Sequence, residues 1–233
     1  MYSRDIDGQV YTFGVSGKLI RNVMVMFDRE TQTLWSQLLG KAVRGELVGT
    51  ELEFVPYWLT TWQEWHMREP ETLALIKGHQ GSADPYQSYY ESPQAGVLGE
   101  AFSDDRLYTK QYVIGVAQGD EAMAYPWLTL NDEPVVNDVV GGTPVLIVFN
   151  ADSATGVVFD RRLNGQTLTF HLADLGVPTL TDAETGSTWD GLGGQALDGP
   201  LGGTQLARVK STAAFWFGWK DSYPETQVYG LEE

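Results

Sequence analysis

The chain has 233 residues, 42% of them apolar and 12% aromatic, which suffices for one large core or two small ones in an ordinary globular protein. Its 15 Lys and Arg against 31 Asp and Glu give a formal charge of −16, a balance that repels phosphate backbones and anionic lipid and argues against nucleic acid as a partner. Zero Cys excludes disulfides, thiolate nucleophiles and cysteine-built metal sites, and three His (His66, His79, His171) leave little for a histidine-built one. No apolar run is long enough to span a bilayer and the start MYSRDIDGQV has no leader-like pattern. The expectation is a soluble, cytoplasmic chain with no cofactor and no membrane partner.

Self-comparison organises everything else. Residues 28–75 match the residues 154 further on without a gap, with 18 identities in 48, among them Asp28/Asp182, Glu30/Glu184, Thr31/Thr185, Trp35/Trp189, Trp62/Trp216 and Trp65/Trp219. A second block, Arg4 to Phe13 against Arg161 to Phe170, matches at an offset of 157 with five identities in ten, so the first copy carries three extra residues around GVSGKLIRN. Three segments follow: a truncated first copy over 1–75, an aromatic, Gly- and Pro-rich connector over 76–111, and a complete second copy over 112–233.

In chain order, each copy opens on an Asx-Gly turn with an alternating run, continues through a strand, the polar turn Asp-x-Glu-Thr and a return strand, and enters a glycine-dense stretch of short strands. A helix closes it, because Trp62, Trp65 and Glu69 recur at helical spacing before Pro70. The connector reads as an ordered loop. Residues 112–160 read as three or four further strands without counterpart in the first copy. The fold class is therefore mainly β, two pseudo-repeat small sheets or partly closed barrels, each ending in a short helix. Lacking those strands, the first copy is expected to expose a sheet edge, closed either by homodimerisation or by strands of 112–150.

Two Asp-x-Glu pairs invite a glycosidase reading, but both copies keep them at a turn, which a structural role predicts directly. The shared Trp35, Trp62 and Trp65 are expected to fill the same core pocket twice, while Trp58 and Trp127 have no counterpart. GVSGK fails the phosphate-loop spacing and is one residue short of a nucleophile elbow. Polar residues present in only one copy are freer to serve a site. That filter selects Arg29, Ser36, Gln37, His66 and Arg68, facing Ala183, Asp190, Gly191, Lys220 and Ser222, with Ser16 and Lys18 in the insertion. The connector adds Asp84, Tyr86, Tyr89 and Tyr90. The expected site is a cleft between the copies in which His66 is acid or base, Arg29 an oxyanion donor, Ser36 and Asp84 supporting groups, and Gln37, Tyr86, Tyr89, Tyr90, Lys18 and Trp58 ligand contacts.

The blocks TFGVSGKLIRNVMVMFDRETQTLWSQ, ADPYQSYY, AMAYP with VVND, and FWFGWKDSYPET resemble the bacterial and archaeal family called domain of unknown function 3179. The resemblance implies no activity. The family pattern carries Cys-Pro-Leu-Cys ahead of the block matched by RDIDGQVYTFGVSGKL and a His ahead of Asn-Asp. Here Asn137-Asp138 is kept, whereas Glu133 stands in place of the His and Asn150-Ala-Asp in place of the Cys segment, so no thiol or metal role carries over. Two functions stay open: an enzyme, a hydrolase among the options, or a binder for a small polar or sugar-like ligand in the cleft; and a non-catalytic interaction module using the connector and an exposed strand edge.

Overall fold

A computed structural model of the chain describes residues 1–75, 86–174 and 178–231. Asp7-Gly8 takes positive φ at both positions, as a two-residue hairpin turn requires, and joins β1 (Asp5–Ile6) to β2 (Gln9–Val10). An antiparallel meander follows: β3 (Phe13–Ile20), β4 (Val23–Asp28), β5 (Leu34–Ser36) and β6 (Lys41–Arg44). Helix α1 (Trp62–Arg68) starts where the Thr61 hydroxyl accepts the Glu64 amide (3.2 Å) and stops before Pro70. The described part of the connector, read as loop, carries the short helix α2 (Gln87–Glu91), whose Tyr89 ring packs against Phe215.

The unduplicated stretch holds five strands rather than three or four. Gly119 (φ 59°) and the Gly141-Gly142 pair (φ 53° and 72°) turn each of its two apolar runs back on itself. The first hairpin is β7 (Tyr112–Gln118) and β8 (Glu121–Pro126). Helix α3 (Trp127–Asp132) leads to β9 (Val135–Val140), β10 (Thr143–Asn150) and β11 (Thr155–Asp160). Strand β10 explains its own continuous apolar run: Val145, Ile147 and Phe149 enter one core with Ile114 and Tyr125, while Leu146 and Val148 enter another with Phe170, Leu180 and Trp189.

The second copy repeats the first. Asn164-Gly165, again at positive φ, joins β12 (Arg162–Leu163) to β13 (Gln166–Thr167). The meander β14 (Phe170–Asp174), β15 (Thr179–Asp182), β16 (Thr188–Asp190) and β17 (Ala196–Asp198) matches β3 to β6. Then come β18 (Ser211–Phe215), α4 (Trp216–Ser222) and β19 (Gln227–Val228), which with β7 and β8 form a sheet ordered β18-β7-β8-β19. The fold is mainly β, made of several small sheets, and none closes into a barrel. Among the described residues no helix is long and apolar enough to cross a membrane.

The duplicated helices differ sharply in burial. Six residues of α4 are buried, with Trp216 at 0% and Trp219 at 2% exposure, whereas α1 buries none and Trp62 is 53% exposed. The expectation that the paired Trp residues fill the same core twice is thus corrected for Trp62 and Trp65. Trp219 lies over Gly115 of β7, where a Cβ would meet the indole ring, and among the described residues no strand plays the part of β7 for α1.

Candidate functional site

The Asp-x-Glu-Thr turns are structural in both copies. Asp28, fully buried, accepts the Trp35 indole N–H (2.9 Å) and the Thr31 hydroxyl; Asp182 does the same for Trp189 (2.9 Å) and Thr185. Glu30 accepts the Thr12 amide (2.9 Å) and Glu184 the Thr169 amide (2.8 Å), each pinning the turn to the strand before it. Burial works against both buried charges, yet the indole and threonine donors outweigh it and hold Asp28 and Asp182 below the usual carboxylate range. Asn137-Asp138 is structural too: the Asn137 amide clamps the Phe170 N–H and C=O (2.8 Å each) and Asp138 accepts the buried Tyr125 hydroxyl (2.8 Å).

The sequence-selected site residues do not assemble. Arg29, exposed over the Phe27 ring, sits past one end of β4, while the Gln37 amide pairs with Met24 near the other. Five residues of strand separate them by about 16 Å, more than a small ligand's width. Ser36 is 4% exposed and its hydroxyl faces the Leu39 amide. His66 is exposed with its ring tilted against Trp62 (centroids 5.4 Å), and Lys18 is exposed on β3. Tyr86 is exposed, Tyr89 lies under the Lys110 ammonium (3.9 Å), and Asp84 falls outside the described residues.

A cavity of about 920 Å³ opens elsewhere, where residues 56–69 run against the turn after β16 and against Arg208. Of the selected residues it takes Trp58 and Arg68. Its aromatic wall is Tyr57, Trp58, Trp62 and Trp65, with Trp58 and Trp65 edge to face at 5.9 Å. Arg68 lies 4.9 Å over the Trp58 ring, placed by Glu64 one helical turn before it (Nε to Oε1, 2.7 Å) and by Asp190 of β16 (Nη1 to Oδ2, 2.8 Å). Burial disfavours its charge, but the bonds to Asp190 and Glu64 outweigh this and raise its pKa. Its second terminal nitrogen is buried without a partner.

Arg208 is different. Its Nη2 donates to the Tyr57 carbonyl (3.1 Å) and its guanidinium stacks on Phe159 (5.2 Å). Its Nε is buried and unpartnered, and among the described residues no carboxylate forms an ion pair with it. Burial pushes its pKa down to about 10, so at neutral pH it is still a cation, held at a desolvation penalty. The cavity thus offers flat apolar faces and two guanidinium groups, each with one nitrogen buried without a partner; of the carboxylates lining it, Asp190 is engaged by Arg68 and Glu69 is the other. Among the described residues no group of three His, Asp or Glu is placed to hold a metal.

The polar residues of this cavity obey the one-copy rule, although on both copies: Arg68 faces Ser222, Asp190 faces Ser36 and Arg208 faces Phe54. Arg208 lies in the second copy, whereas the residues selected from the sequence lie in the first copy and the connector. A second cavity of about 680 Å³ is lined by Tyr90, Tyr112, Trp127 and Phe149, with Tyr112 and Trp127 stacked at 4.5 Å. Its Lys110 is spent on the carbonyls of Tyr89 and Ser92.

The chain matches no curated protein and no solved structure. Residues 1–226 match the family described as "protein of unknown function (DUF3179)", and the chain belongs to that family.

Proposed function

We propose that the chain is a binding module that captures a polar, carboxylate-bearing ligand in the cavity between its copies, with the flat faces of the ligand against Trp58, Trp62 and Trp65. The observation that carries this reading is Arg208, a half-buried guanidinium with an unpartnered N–H and, among the described residues, no ion-paired acid, in a chain of net charge −16. A ligand carboxylate supplies what the fold withholds, through the short charge-assisted bonds that a guanidinium fork is shaped to give. Capture is favoured over hydrolysis because Asp190 is bonded to Arg68, which leaves Glu69 without a second lining carboxylate to work with as an acid–base pair. Calorimetric titration with glucuronate against glucose, and with N-acetylalanine against its amide, tests this. The acids bind at least tenfold more tightly than the neutral forms, and Arg208→Gln removes that preference. Equal affinity for acid and neutral forms, or an unaffected R208Q protein, contradicts it.

A second proposal concerns assembly. Strand β3 is an edge strand carrying exposed Val15, Leu19 and Ile20, and among the described residues the Asn137 clamp on β14 has no equivalent there. Pairing of two β3 edges yields a homodimer. Light scattering shows it, and Val15→Lys returns the mass to that of a monomer; a wild-type monomer removes this proposal.

A further inference from the structure

The duplication supplies a template for what lies along the cavity. In the second copy, residues 211–217 are paired throughout. Strand β18 runs antiparallel to β7, with Ser211 opposite Val116 and Phe215 opposite Tyr112, and the amides of Trp216 and Phe217 continue onto the carbonyls of Gln111 (2.8 Å) and Thr109 (3.1 Å). The equivalent residues of the first copy, 57–63, lead into α1 with Thr61 still extended at φ −74°, ψ 154°. Among the described residues, none of their amides has a hydrogen-bond partner. In an extended segment alternate amides face one side, so the unpartnered donors on that side, beside a wall of indoles, form an edge for another extended backbone.

The same template fixes direction and chemistry. Trp219 is accommodated only because β7 presents Gly115 beneath it, and Trp65 occupies the matching position over the open cavity. In the antiparallel register of β18 and β7, the residue aligned with Tyr57 faces the C-terminal end of the incoming strand. There the Tyr57 carbonyl already holds Arg208. We infer that residues 57–63 accept an extended peptide strand in antiparallel register, with a glycine against Trp65 and a carboxylate at its C-terminal end on Arg208. The charge complementarity is specific: Arg208 lacks an acid of its own, and the strand brings one. This names the ligand class of the proposed cavity and rests on the reading of Arg208 as a carboxylate receptor.

The test uses the full chain and synthetic peptides carrying the β7 sequence Tyr-Val-Ile-Gly-Val-Ala, with two N-terminal lysines for solubility and a free C-terminal carboxylate, titrated by calorimetry and tryptophan fluorescence. The free-acid peptide binds saturably. Amidation of its C-terminus weakens it at least fivefold, valine in place of its glycine weakens it at least tenfold, and R208Q abolishes the acid-to-amide difference. N-methylation of one set of alternate peptide amides blocks binding while methylation of the other set does not, a pattern that only strand pairing produces. If glucuronate or N-acetylalanine binds and the peptide does not, or if the glycine and N-methyl variants all bind equally, the strand inference is overturned and the carboxylate-binding reading stands. If neither the small acids nor the peptide binds, both fall.

Discussion

Arg208 donates its Nη2 to the Tyr57 carbonyl at 3.1 Å, so the one arginine of the cavity without an acid partner is held by a backbone oxygen of the other copy. A residue kept for structure should cost stability when removed; a buried cation kept for a ligand should not. Replacing Arg208 by Met, which keeps the stem and its packing on Phe159, is expected to leave the free protein as stable as before or up to about 1 kcal/mol more stable, since desolvation outweighs one backbone hydrogen bond. Denaturant unfolding measures it. A loss above about 2 kcal/mol makes Arg208 a strut instead.

The turn carboxylates give a pH prediction. Both Asp28 and Asp182 titrate below their unfolded value of about 3.9, so the stability they add is complete above that pH and is lost as pH falls through the folded value. The midpoint of urea unfolding should therefore drop steeply below about pH 4. Asp28→Asn should cost about 2 kcal/mol at pH 7 and flatten that acid limb. An unchanged acid limb in D28N would show that the indole and threonine bonds do not depend on the charge.

The unequal burial of the duplicated helices predicts unequal mutants. Trp216→Ala should cost about 3–5 kcal/mol, as for any fully buried indole, whereas Trp62→Ala should cost less than about 1 kcal/mol and weaken ligand capture. Thermal unfolding of the two proteins side by side decides it; comparable losses would mean that Trp62 belongs to the core after all.

Gly115→Val puts a branched side chain where the Trp219 ring lies against the β7 backbone, and neither element can withdraw because β7 is paired on both sides. A loss of about 3 kcal/mol is expected from denaturant unfolding. A loss under about 1 kcal/mol would show that the indole can move aside, which would also remove the reason for a glycine in the incoming strand.

Much of the scaffold was legible because its signals are local. Asp-x-Glu-Thr with a Trp four residues after the Thr announces a turn between two strands, and Trp62, Trp65 and Glu69 at helical spacing before Pro70 announce a helix. The hairpin count in 112–160 was missed because apolar runs do not reveal where glycines at positive φ reverse them. The site was half legible: asymmetry between copies does mark Arg68, Asp190 and Arg208, but which asymmetric residues meet depends on tertiary contacts between residues 56–69 and the second copy. Arg29 and Gln37 pass the same filter, yet Arg29 follows one end of β4 and Gln37 pairs with Met24 near the other. Burial of Trp62 and Trp65 was misjudged because it is decided by β7, which the first copy lacks.

The most direct measurement of the central claim is the side-chain Nε–H resonance of Arg208, assigned by its loss in R208Q and followed by heteronuclear NMR during titration with glucuronate, N-acetylalanine and the free-acid peptide. That donor is buried and unpartnered in the free protein, so capture of a carboxylate moves its proton downfield, saturably, together with the indole N–H signals of Trp58 and Trp62. An Arg208 signal that stays in place while any of these ligands saturates the protein would contradict the assignment of the cavity as a carboxylate site.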